Sequence, residues 1–134
     1  MTIINATSHG IHIYRKEDCE YNKSQRKWFV KKGAKPFLTI APSRRLLNVH
    51  IENLLSYFTD EDVPVFISKV VAVDHPASQF PQIKTGDILV VSREYASVAV
   101  KRYPEFRYAV ISQPVYNDLD NPRPIGCLGL EIVS

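Results

Sequence analysis

The stretch that most constrains this chain is Gly86 to Pro104, GDILVVSREYASVAVKRYP. Ile88, Leu89, Val90 and Val91 form an unbroken apolar run, the pattern of a strand covered on both faces. Gly86-Asp87 before it is a turn signal, and Ser92 after it is a good N-cap, because its hydroxyl accepts from an amide of the first helical turn. Ala96, Ala99, Val100 and Tyr103 then fall on one face of a helix, while Arg93, Glu94, Ser97 and Lys101 fall on another. Lys101 and Arg102 suit the negative end of the helix dipole, and Pro104 stops the helix. The spacing predicts one main helix over about 93–103.

Around this unit the chain reads as short strands. Ile3-Ile4, Ile11 to Tyr14, Trp28 to Val30 and Phe37 to Ile40 are strand candidates, with a polar, turn-rich Cys19 to Gln25 between them. Leu47, Val49 and Ile51 alternate with polar residues as in a half-buried strand, and Leu54 to Phe58 reads as a short helical turn. Val63 to Val73 is apolar at both parities, so it is expected to be a strand covered on both sides, or two strands bent near Ser68-Lys69. Asp74 to Lys84, with two prolines, is expected to be loop. Arg107 to Tyr116 and Cys127 to Val133 are strands around a polar 117–124 loop, with Leu128, Leu130 and Ile132 facing the core. The fold class is therefore α+β and mostly β: one domain, 1–134, of short mixed or antiparallel strands with one main helix and a basic hairpin-like arm at about 15–35.

Charge is uneven. Between residues 15 and 35, eight basic residues stand against Glu17, Asp18 and Glu20, a local +5, so with +3 overall the rest of the chain carries −2. Tyr21, Trp28 and Phe29 lie among those cations. They are interface candidates for a homo-oligomer; a nucleic acid tracked by the cations is the weaker alternative, since the body is not basic. No apolar run is long enough for a membrane helix, no signal peptide is recognisable at the N-terminus, and the two distant cysteines suit free thiols. A cytoplasmic location without membrane partners is expected.

Catalytic patterns are missing. Ser92 lacks the flanking glycines of a nucleophile elbow, having Val90 and Glu94 there instead, and no P-loop or G-x-G-x-x-G occurs. Asp60-Glu61-Asp62 reads as a solvated cluster. His9, His12, His50 and His75 lack a metal-ligand spacing, so neither a metal nor another cofactor is expected. The candidate site is an anion site: the Ser92 helix start with Arg93, Arg44-Arg45 after Pro42-Ser43, His9 in the opening loop, and Lys84 before the central strand.

Several segments together resemble a known group. Ile4-Asn5-Ala6-Thr7-Ser8-His9, followed by Ile11-His12-Ile13-Tyr14, resembles the INLTPH opening of small proteins from phages, prophages and bacteria. Ile40-Ala41-Pro42-Ser43, Val63-Pro64-Val65, Pro81 to Ala99, and Pro124-Ile125-Gly126 with Leu130 resemble that group's later segments in the same order. Ala6, Ser8 and Arg44 depart from it, standing where leucine, proline and glycine are expected. The resemblance implies a phage or prophage setting and brings no activity with it. Compact phage proteins often act against host defence, some by sequestering nucleotide signals, and that analogy shapes the expectation here. The expected function is non-catalytic binding of a small anion such as a nucleotide, in an anti-defence sponge. The alternatives are an oligomeric interaction protein using the 15–35 arm and, behind it, a nucleotide-cleaving enzyme using histidines.

Overall fold

A computed structural model describes residues 2–118 and 120–134; Leu119, inside the 117–124 loop, lies outside the described residues. The strands are β1 (Ile3–Asn5), β2 (Ile11–Ile13), β3 (Cys19–Asn22), β4 (Lys27–Val30), β5 (Leu38–Ile40), β6 (Val49–Phe58), β7 (Pro64–Val73), β8 (Ile88–Val90), β9 (Arg107–Tyr116) and β10 (Gly126–Val133). The α-helices are α1 (Pro76–Gln79) and α2 (Arg93–Arg102), and a single 3-10 turn spans Lys16–Asp18.

β8 is central, as its apolar run requires. It pairs in parallel with β1 on one edge and with β9 on the other. Leu89 and Val91 pack under α2 with Tyr95, Ala96, Ala99 and Tyr108, while Ile88 and Val90 join a second cluster with Ile11, Ile13, Ala109 and Cys127. Both faces of the strand are thus covered. Gly86 makes the turn into β8 at φ +93°, a conformation open to glycine at little cost. Ser92 caps α2, its Oγ accepting from the Tyr95 amide at 3.1 Å. Tyr95, absent from the helix face read from sequence, is fully buried.

The main sheet runs β1-β8-β9-β10-β2-β5, with β4 and then β3 added beside the far half of β9. Gln113, at φ +59°, bends β9 between the part that pairs with β8 and the part that pairs with β4. β10 approaches β2 so closely that a Cβ on Gly126 would collide with the His12 carbonyl oxygen and stand 2.7 Å from the Tyr14 ring. The two outer strands of this path, β1 and β5, are drawn together by Asn5. Its side-chain amide donates to the carbonyls of Ile40 (3.2 Å) and His9 (2.8 Å) and accepts from the amide and hydroxyl of Thr7, while Ser43 N–H donates to its backbone carbonyl. A buried amide with every valence used is the stable way to keep polarity inside a core. The Asn-Ala-Thr triplet is therefore a latch that curls the sheet toward closure.

β6 and β7 form a separate two-stranded sheet. Only its root is held by the body: Leu47 and Val73 are buried, and the hydroxyls of Tyr103 and Tyr95 donate to the carbonyls of Val73 (3.2 Å) and Asp74 (2.7 Å).

Four expectations are corrected. Leu54 to Phe58 is strand, because each of its residues except the bulged Ser56 has a partner on β7. Residues 64–73 are one strand exposed on both faces up to the buried Val73, since among the described residues no second layer reaches the rest. The 74–84 segment holds the short helix α1, capped by His75, whose Nδ1 accepts from the Ala77 amide. Ile132 is 48 % exposed, on the opposite side of the strand from Val133, which packs against the core under α2. The 15–35 region is a hairpin as expected, but β4 docks in parallel on β9.

Candidate functional site

β8 runs through the body, so the groups that flank it, Asp87 before and Ser92 after, stand at opposite ends roughly 15 Å apart. At the N-terminal end, Asp87 accepts from the amides of Thr2 (3.1 Å) and Lys84 (2.9 Å) and ties the start of β1 to the turn before β8. The Lys84 amide, with that of Thr2, holds the Asp87 carboxyl below its ordinary range. Beside this knot runs a groove of about 660 Å³ lined by Thr2, Ile4, Ser43, Arg45, Gln79 to Lys84 and Asp87. Arg45 reaches it because Ser43 and Arg44 form a tight corner: the Arg45 amide donates to Ser43 Oγ, and Arg44 sits at φ +65°. One Arg45 Nη1 bond goes to the Gln79 carbonyl at 2.9 Å, which fixes the guanidinium and leaves other donors of the fork open.

The six anion candidates are therefore divided. Arg45 and Lys84 share this groove. Ser92 and Arg93 lie at the other end of β8, where the Ser92 hydroxyl is used by the cap and Arg93 Nη1 faces the Glu131 carboxylate at 3.8 Å. His9 is exposed in the loop after β1, its carbonyl accepting from Asn5 and Thr7. Arg44 is exposed at its corner, in the left-handed conformation that glycine adopts freely. The expected convergence of all four features does not occur, because β8 separates them.

Phe80 and Thr2 join the groove without any local sequence signal, since only the α1 turn and the β1–β8 pairing bring them there. A second basic groove of about 670 Å³ was also missed. It lies at the root of the arm, lined by His12, Tyr14, Lys31, Lys32 and Ile125 among others.

The arm's aromatics are engaged by the chain itself. Trp28 is half-buried against Tyr14, Cys19 and Val115, its Nε1–H donates to Gln113 Oε1 at 3.2 Å, and the Lys16 ammonium lies 5.5 Å from its ring. Phe29 packs on Tyr116, over which Lys27 stands at 4.5 Å, and Tyr21 lies against Trp28. Among the three rings a cation stands over Trp28, while Tyr21 remains 47 % exposed.

The histidines differ in their surroundings. His12 Nδ1 is 3.1 Å from Thr39 Oγ1, His50 Nε2 donates to Asp74 at 2.9 Å, and His75 packs edge-on against Tyr103 and Phe106. Among the described residues no three His, Cys, Asp or Glu side chains gather in a way that would hold a metal ion. Burial pushes the thiols of Cys19 and Cys127 upward, away from the reactive thiolate. No helix among the described residues is long and apolar enough to cross a membrane. Compared with protein-family models, curated proteins and solved structures, the chain matches none.

Proposed function

We propose that this protein is a non-catalytic binder of a small anion of the nucleotide class, held in the groove at the N-terminal end of β8. The observation that carries the reading is the meeting of Arg45 and Lys84, from distant segments, in one groove that also holds Phe80 and the hydroxyl-bearing Thr2 and Ser43. A guanidinium fork takes two phosphate oxygens at once, an ammonium adds a point charge, and an aromatic ring offers a face to a base. The groove's 660 Å³ lies within the usual range of small-molecule sites. The Asp87 carboxylate, which would repel an anion, already accepts two backbone amides. In the phage setting that the sequence resemblance implies, such a protein would sequester a nucleotide signal of the host.

Calorimetry with cyclic dinucleotides and ADP-ribose-type nucleotides tests this. One class is expected to bind and to be recovered unchanged, with Arg45→Ala and Lys84→Ala each weakening it about tenfold or more. Arg93→Ala is expected to bind as the parent does. Absence of binding by every nucleotide, or full binding by both groove variants, would overturn the reading. Loss only in a Lys31→Ala/Lys32→Ala variant would move the site to the arm-root groove.

A further inference from the structure

A two-stranded hairpin standing alone in water is marginal at best. The hairpin β6–β7 has ten residues in each strand and no third strand on either edge. Its cross-strand pairs put apolar side chains on both faces. Ile51 with Val70 and Leu55 with Phe66 share one face, and Leu54 with Ile67 lies on the other. The ten large apolar residues from Ile51 to Val71 are 39–59 % exposed. Exposed apolar residues scattered singly need no explanation, but a run of them on both faces of one hairpin does. Surfaces of this kind mark sites that a partner covers.

The charges point to what does. The hairpin, residues 49–73, carries Lys69 against Glu52, Asp60, Glu61 and Asp62, a net −3, so the rest of the chain, with +3 overall, carries +6. Among the described residues the ion pairs are His50–Asp74 and Arg93–Glu131, so the acidic tip is not neutralised within its own chain. A bilayer would have to bury that tip or hold it against anionic headgroups. A second copy offers a cationic body to the tip, an identical free edge to each strand, and an equal apolar face. It also resolves the two-sidedness of the patch, since one face can meet the partner's hairpin and the other its body.

We propose that residues 49–73 are a self-association arm, through which this chain forms a two-fold assembly with a second copy of itself. The proposal does not depend on the ligand groove. It places an interface on the hairpin, apart from Tyr21, Trp28 and Phe29 of the 15–35 arm.

Light scattering on a sizing column and sedimentation velocity of the full chain test it. The parent is expected to sediment as a multiple of 15.3 kDa. Phe66→Asp and, separately, Ile67→Asp probe the two faces. At least one is expected to raise the dissociation constant a hundredfold or more and release a 15.3 kDa species. Near-ultraviolet dichroism of the variants, which reports the packed tyrosines of the body, is expected to match the parent's. A parent that stays at 15.3 kDa at every concentration overturns the proposal, whether or not it floats with phosphatidylcholine–phosphatidylglycerol vesicles, and so does assembly unchanged in both variants.

Discussion

Two apolar segments of this chain, Ile88–Val91 and Val63–Val73, carry the same kind of residues and end in opposite environments. Leu89 and Val90 are wholly buried, whereas Phe66 and Ile67 are each 58 % exposed. The first segment is followed by a capped helix that folds back over one face, and it is flanked by β1 and β9. The second is followed by α1, a single short turn that lies beside the hairpin root and covers neither face. The difference teaches that apolarity at both parities states a requirement for cover without saying which molecule supplies it.

The sharpest way to break this comparison is to truncate one side chain in each region. Leu89→Ala is expected to cost about 3–4 kcal/mol of stability in urea, since a wholly buried leucine leaves a cavity. Phe66→Ala, read at a concentration where the protein is dissociated, is expected to cost under about 0.5 kcal/mol. Similar losses in both would mean that the hairpin is covered within its own chain.

Asn5 sharpens the comparison from the other side, because it joins the sheet edges that the hairpin lacks. Asn5→Ala takes the side-chain partner from the Ile40 carbonyl and the Thr7 amide and is expected to cost about 2–3 kcal/mol by thermal or urea unfolding. Amide exchange should accelerate in β1 and β5 first. Unfolding at the parent's midpoint would sink the latch.

The smallest effect concerns the hairpin's root. The His50 hydrogen bond, assisted by the Asn48 amide, holds the Asp74 carboxyl below its ordinary range against a smaller opposing effect of burial. A folded pKa lower than the unfolded value of about 3.9 stabilises the protein above that pH, and the contribution disappears as pH falls through the folded value. Asp74→Asn is expected to remove this part of the acid limb, about 0.5 kcal/mol for a partly exposed pair, and to leave stability unchanged at pH below the folded value. An acid limb identical to the parent's would show that the root does not rely on this carboxylate.

The elements most legible in the sequence were those closed by their own neighbours in the chain. The Ser92 cap, the 93–102 helix, the β8 run and the alternation of Ile11 and Ile13 about His12 rest on local hydrogen bonds and on a period of side chains. Leu54 to Phe58 was misread because its apolar spacing suits a helical turn, and only pairing with β7 selects the extended form. In the candidate site, Arg45 and Lys84 stood out as cations, but Phe80 and Thr2 did not, because no spacing along the chain encodes their meeting. The Asn5–Thr7 latch was visible only as a triplet. Its partner, Ile40, lies 35 residues away.

What this sequence determined by itself is the set of local choices: a mostly β domain, one capped helix, where the chain turns, and which strands are apolar at both parities. Propensity, capping and hydrophobic period act over a few residues, so they survive without the rest of the molecule. The tertiary structure alone decided which strands became neighbours, which cations share a groove, and which apolar surface was left uncovered. Those outcomes depend on contacts between distant segments, and the closure of long loops has no local signature.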